Sequence, residues 1–252
     1  MNKIELKEFL DEKVSLYNRP EFIHDDPVSI PHKFNKKEDI EISAFLSATI
    51  AWGRRPMILK NAKRIMDILD NCPHDFILNA SENEINKSSD FCHRTFNGLD
   101  LQTFIYCLRN IYQHHHGLEA CFKTKEKDMC HSISNFKNIF FEIEHPRRTE
   151  KHVSDPMNGS ASKRIMMFLR WMVRSNHQNI DFEIWKTLNP KQLSCPLDVH
   201  TANVGRKLGL ITRKANDWKT VKELDATLRL FCPEDPAKYD FALFGLGVYE
   251  NF

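Results

Sequence analysis

The chain has 252 residues, 41% of them hydrophobic and 28% charged, with 8 glycines and 11 prolines. That is enough apolar material for one or two domains with a real core and too little glycine and proline for a disordered or repetitive chain. The net charge of +2 hides an asymmetry: 145–219 holds 14 Lys/Arg against 6 Asp/Glu, a basic half of the kind that meets polyanions.

The start, Met1-Asn2-Lys3-Ile4-Glu5, has charges breaking every apolar run and does not read as a secretory signal. Residues 18–35 carry prolines 20, 27 and 31 and little periodicity, and are expected as an extended segment wrapping the body. Ile42, Phe45, Leu46, Thr49 and Ile50 then follow helical spacing, with Gly53 as the stop. Pro56 opens a second helix running to about Asp70, because proline's missing N–H is harmless in a first turn. Apolar runs such as 45–50 are far too short to span a bilayer.

Leu101–His115 is a further predicted helix, closed by Gly117, and 144–158 is a charged loop. Beyond it lies a turn of small residues, Asn158-Gly159-Ser160-Ala161-Ser162, leading to Lys163 and an apolar stripe of Ile165, Phe168, Leu169, Met172 and Val173. At 100° per residue Lys163, Arg170 and Arg174 fall within about 40° of one another, opposite that stripe, as a basic face. Leu197, Thr201, Val204, Leu208 and Ile211 predict another helix, started by Pro196 and capped by Asp198. Helices over 221–231 and 236–244 complete an all-α fold, since no alternating β-branched run can build a sheet.

The seven cysteines are scattered, odd in number and without a Cys-x-x-Cys pair, which excludes a disulfide scaffold and points to a reducing compartment. Cys92-His93, His114-His115-His116, Cys121 and Cys130-His131 match no compact zinc pattern, so no metal is expected.

The turn 158–163 resembles, in degenerate form, the helix-hairpin-helix turn of DNA base-excision glycosylases, Leu-Pro-Gly-x-Gly-x-Lys. Gly159 and Lys163 keep the family's spacing, and Ala161 stands in place of its second glycine. Pro196-Leu197-Asp198-Val199-His200 is similar to the superfamily's Pro-Val-Asp-Thr-His-Val segment. The 35 residues from Lys163 to Asp198 bring the chain nearest the archaeal 8-oxoguanine glycosylase branch, which has a long insertion. The segments 26–34, 51–55 and 239–247 are also similar to an uncharacterised bacterial family of conserved hypothetical proteins.

The resemblance implies a single glycosylase-like unit over 1–252, a two-lobed helical bundle. One sub-lobe, 38–140, would form the pocket wall, and the other, 145–235, would carry the hairpin and the catalytic aspartate. It implies Lys163 as a Schiff-base nucleophile, which needs a partly neutral amine, and Asp198 as acid/base or charge stabiliser. Gly159, Ser160, Ala161 and Ser162 would meet a DNA phosphate through backbone N–H groups, extended by Arg164, His200, Arg206 and Lys207. Trp52, Arg54, Arg55 and Trp171 are candidates for the base pocket or the wedge that fills the gap in the stack.

The implied activity is excision of an oxidised purine such as 8-oxoguanine from duplex DNA, followed by strand cleavage at the abasic site. No cofactor is implied, and a four-cysteine iron–sulfur loop does not fit the cysteine spacing. The implied partner is damaged duplex DNA, met by a cytoplasmic, nucleoid-associated monomer without membrane contact. The alternative is a nucleic-acid-binding protein that keeps the scaffold without the chemistry. The same residues also have plainer roles open to them: Lys163 as a surface lysine, Asp198 as a helix cap, Trp52 and Trp171 as core.

Overall fold

The computed structural model describes residues 1–126, 128–175 and 177–252. The chain is mostly helical, and its contacts divide it into two compact units. The first comprises 1–22, 124–131 and 155–252, the second 23–123 and 132–154.

In chain order the helices are α1 (Lys3–Tyr17), α2 (Lys37–Thr49), α3 (Arg55–Ile68), α4 (Pro73–Asn79), α5 (Glu82–Asn86), α6 (Gly98–His114), α7 (Leu118–Cys121), α8 (Cys130–Phe140), α9 (Lys163–Val173), α10 (Val199–Lys207), α11 (Trp218–Phe231) and α12 (Tyr239–Tyr249). Between α5 and α6, β1 (Cys92–His93) and β2 (Phe96–Asn97) form a two-stranded antiparallel hairpin. This hairpin is the only sheet among the described residues, and no helix among them is long and apolar enough to cross a membrane.

Three expectations are corrected. The proline-rich stretch 18–35 is not extended, because Pro20, Pro27 and Pro31 each open a short 3-10 turn, where a fixed φ and a missing N–H suit a first position. The loop 144–158 contains a 3-10 segment, Arg147–His152. The apolar spacing of 197–211 outruns its helix: α10 stops at Lys207, and Gly209 (φ +73°) turns the chain so that Leu210 and Ile211 bond back to the Gly205 carbonyl.

In the second unit, α2, α6 and α8 share an aromatic core. The ring of Phe45 stacks on Phe104 at 5.8 Å and meets Phe136 and Phe140 edge-on. Asp100 is completely buried in the first turn of α6, accepting from Arg148 and Thr149 and lying 3.3 Å from His152.

In the first unit, α12 is the central helix, packed by α1 on one side and α10 on another. Two glycines permit this. A Cβ on Gly245 would stand 2.2 Å from the Tyr17 ring of α1, and one on Gly247 would stand 3.1 Å from His200 of α10. The first distance leaves no room for a methyl group, and the second would make a tight contact. Helix α9 is buried from Ile165 to Val173; only Lys163 and Arg164, in its opening turn, keep appreciable exposure.

Candidate functional site

The start of α9 is fixed by the turn before it. The Asp155 carboxylate accepts from the Met157 N–H (2.9 Å) and the Asn158 amide (2.7 Å), and the Gly159 and Ser160 N–H groups bond back to the carbonyls of Pro156 and Asp155. Gly159 adopts φ +87°, a conformation glycine enters without strain. The turn is then tied to the start of α11: Trp218 N–H donates to the Gly159 carbonyl at 3.1 Å, and Ser160 pairs with Asp217. What precedes the turn is a 3-10 segment rather than an α-helix running into it.

Asp198 is fixed by its own helix. It is the N-cap of α10, and its Oδ1 accepts from the Thr201 N–H at 2.9 Å. The other oxygen, Oδ2, lies 3.8 Å from Nζ of Lys163. Both side chains are about a quarter exposed (27% and 22%). Two residues 35 apart in sequence thus meet at the starts of α9 and α10, one carboxylate oxygen serving the cap and the other facing the amine. The cap and the ion pair do not compete.

The environment of Lys163 corrects the sequence reading. Arg170 and Arg174 are not an exposed basic face; they are 3% and 5% exposed and fully engaged. Arg170 pairs with Asp240 (2.5 Å) and Asp181 (3.3 Å), and Arg174 with Asp181 (2.6 Å) and Asp235 (2.8 Å). Both guanidinium groups lie over the ring of Phe241. Their charges are compensated by carboxylates from the loop after α9 and from the start of α12, which a helical wheel of α9 cannot reveal. The same pairing removes part of the basic surplus of 145–219 from the surface.

Asp240, the buried partner of Arg170, is a charged residue that sequence reading missed. Burial pushes its carboxyl up to about 6; Asp198 adds to that rise, while Arg170 and Lys163 oppose it. The signal was an aspartate in an otherwise apolar helix, Tyr239–Tyr249, where a lone charge needs partners. Cys195, completely buried just before α10, feels Asp240, Asp225, Arg170 and Asp198, and its thiol is pushed well above the ordinary range, chiefly by burial.

The other predicted residues separate into groups. Ser162 is in the left-handed region (φ 48°), its N–H taken by the Ser160 hydroxyl at 3.1 Å, and its side chain does not cap α9. The Gly159 and Ser160 N–H groups are also turned inward, and Ser160 forms an antiparallel bridge with Asp217. Arg164 is half-buried, and desolvation brings its guanidinium down to about 10. His200 is exposed on the first turn of α10, and exposed Lys207 lies over the Phe252 ring at 5.7 Å.

Arg206 is turned to the protein. It donates to the carbonyls of Arg213, Lys214 and Ala215 and to the Asn216 side chain, so it holds the loop after α10, which corrects the expectation of a phosphate contact. Trp171 is also corrected: it is fully buried in the first unit, its indole N–H without a hydrogen-bond partner among the described residues, and it packs the core instead of walling an open pocket.

Trp52, Arg54 and Arg55 belong to the second unit. Trp52 is half-buried, stacked on His152 at 6.1 Å and edge-on to His93 at 5.0 Å. Arg54 is exposed, and Arg55 lies 3.7 Å from Asp26. Among the described residues no group of three or more His, Cys, Asp or Glu is placed to hold a metal ion.

A helical chain with an amine and a carboxylate brought together at two helix starts defines a class of site, not yet an activity. The chain belongs to the family described as "Protein of unknown function (DUF2400)", which matches residues 26–249. Neither the curated proteins nor the solved structures give a match. The likeness to DNA glycosylases therefore rests on the residues of the turn and of the Asp198 segment.

Proposed function

We propose that the protein is a DNA base-excision glycosylase with strand-cleaving activity at abasic sites, acting on an oxidised purine such as 8-oxoguanine. The observation that carries this reading is the 3.8 Å approach of Lys163 Nζ to Asp198 Oδ2. The two residues that the glycosylase-like segments single out, far apart in sequence, share one small, partly exposed site. Supporting it is a turn of small residues immediately before Lys163, anchored to α11 so that the amine has a fixed origin.

In this reading Asp198 takes a proton from the Lys163 ammonium as DNA displaces water, since desolvation penalises two facing charges. The neutral amine attacks C1′ of the extruded nucleotide. The C1′–N9 bond breaks with its electron pair going to the base, which takes the proton from Asp198. The ring oxygen then leaves C1′ as a hydroxyl, protonated from the nitrogen that becomes the imine. Asp198, again ionised, removes a C2′ proton, and the 3′ phosphate departs. Arg164, His200 and Lys207 are the residues proposed to meet the backbone.

A duplex carrying one 8-oxoguanine in an end-labelled strand tests this. The expected result is an incised strand ending in an unsaturated aldehyde, with no incision of the undamaged duplex. Binding of damaged and undamaged duplexes without incision of any lesion would replace the enzyme by a nucleic-acid-binding protein.

A further inference from the structure

The turn after α2 carries a half-buried ring, Trp52, that the second unit grips from two sides. His152 lies against it at 6.1 Å and 26°, and His93 meets it edge-on at 5.0 Å. Both histidines are buried, and each is itself held. His93 Nε2 donates to the Trp52 carbonyl at 3.1 Å, while its Nδ1 accepts from the Asn61 amide at 2.8 Å. Burial keeps the His93 pKa below its usual value, as a neutral ring with one donor and one acceptor requires. His152 Nε2 lies 3.3 Å from the buried Asp100 carboxylate. Four buried polar side chains thus fix one ring that stays partly open to solvent, which is more than packing alone asks for.

Two cations stand beside that ring. A Cβ on Gly53 would lie 2.6 Å from Arg94 Nε, so the Arg94 side chain crosses the Gly53 backbone, next to Arg54. Arg94 sits in the two-residue loop of the β1–β2 hairpin with φ +56°, a region that long side chains rarely enter. Arg54 and Arg94 are both exposed, and neither guanidinium makes a hydrogen bond or ion pair among the described residues. By contrast Arg55 is paired with Asp26 and Arg64 with Asp90. No Asp or Glu occurs from 42 to 66 to neutralise the turn locally.

We propose that this turn is a binding site for single-stranded nucleic acid, with one unpaired base stacked on Trp52 and the adjoining phosphates on Arg54 and Arg94. A held aromatic ring accepts any base through its π-face, and a guanidinium without a partner takes phosphate oxygens two at a time. A base inside a duplex is already stacked on both sides, so the strand must be unpaired. A carboxylate ligand would satisfy the arginines and leave the held ring without a role. All of these residues belong to the second unit, and the site does not rest on Lys163, Asp198 or the lyase reading.

Tryptophan fluorescence reads this site directly, because Trp171, Trp185 and Trp218 are all buried. The full-length protein is titrated with a fluorescein-free oligothymidylate of about eight nucleotides, within the span of one single-strand site. Saturable quenching is expected. A strand of the same length built of baseless tetrahydrofuran units, and the same thymidylate locked in a duplex, should quench little. Trp52→Leu should abolish the quenching and weaken binding of the labelled strand, read by anisotropy, at least about fivefold, the low end for one lost base stack. Arg54→Ala and Arg94→Ala should each raise the quenching midpoint at least about threefold in low salt, as loss of a phosphate contact does, while Arg64→Ala should leave it unchanged. Both arginines are exposed, so these variants still decide if Trp52→Leu fails to fold. Absence of saturable quenching, equal quenching by the baseless strand or the duplex, quenching that survives Trp52→Leu, or unchanged midpoints in both arginine variants overturns the proposal. Lys163→Gln should quench like wild type. A protein that quenches as expected but incises no DNA keeps this site and loses the glycosylase reading; incision without quenching does the reverse.

Discussion

Asp198 divides its two oxygens: Oδ1 accepts the Thr201 N–H at 2.9 Å and caps α10, while Oδ2 faces Lys163 Nζ at 3.8 Å. The two duties make different demands. Asparagine caps about as well as aspartate, so Asp198→Asn should leave the melting temperature nearly unchanged. It should lower incision at least about a hundredfold, the lower range for a lost acid/base group. Asp198→Ala should lose both, with about 1 kcal/mol of stability going with the cap. Parallel thermal melts and incision assays separate the roles, and full activity in the Asn variant would leave Asp198 a cap alone.

The packing of α12 predicts a large effect from a single methyl group. Gly245→Ala would drive a Cβ to 2.2 Å from the Tyr17 ring, so α1 must shift or Tyr17 must leave its place. The expected loss is about 1–3 kcal/mol by denaturant unfolding, the usual range for overpacking. Tyr17→Ala combined with Gly245→Ala should recover part of it, because the two changes address one contact. Additive losses would mean that the methyl strains something other than Tyr17.

Asp225 gives a pH prediction. Its carboxyl is pushed up to about 6, mainly by burial, although Ser194, Arg229 and the Cys195 N–H all favour its ionised form. Between its unfolded value, about 4, and 6 the unfolded chain ionises while the folded chain holds the proton. Each rise in pH across that window therefore favours unfolding. Asp225→Asn lacks this term, so its melting temperature relative to wild type should climb between about pH 4 and 6 and level off above. A difference that is flat with pH would show that the folded and unfolded states ionise Asp225 alike.

Duplex DNA binding should weaken with salt, because each neutralised phosphate releases counterions. With two or more contacts among Arg164, His200 and Lys207, affinity should fall about tenfold or more between about 50 and 200 mM salt, as read by fluorescence anisotropy. Lys207→Ala should flatten that slope, whereas Arg206→Ala should mainly lower stability, since its guanidinium holds the 213–216 loop.

Most of the helical framework was legible because its signals are local. Apolar spacing with Gly53, Pro56 and Gly117 as punctuation outlines α2, α3 and α6, and the stripe from Ile165 to Val173 is α9. Where the reading overran, backbone conformation won over periodicity, as at Gly209, across which Leu208 and Ile211 still keep helical spacing. The meeting of Lys163 with Asp198 was legible as a pair of segments, though not as a distance. Asp240 and the burial of Arg170 and Arg174 were not legible, because their partners Asp181, Asp235 and Asp240 come from other elements. Ion pairs made across a fold have no signature in the spacing along one helix. Arg206 shows the same limit: counted as a free cation on α10, it is occupied by three carbonyls of a loop that returns to it.

The most direct test of the account is covalent capture. Wild-type protein is incubated with duplex DNA containing an abasic site, the imine is reduced with borohydride, and the cross-linked peptide is mapped. The account predicts a trapped complex linked through Lys163. It also predicts that Lys163→Gln gives none, while folding normally and still binding the duplex, because a pair this exposed contributes only about 0–1 kcal/mol to stability. Trapping through another lysine, or undiminished trapping by Lys163→Gln, would contradict it.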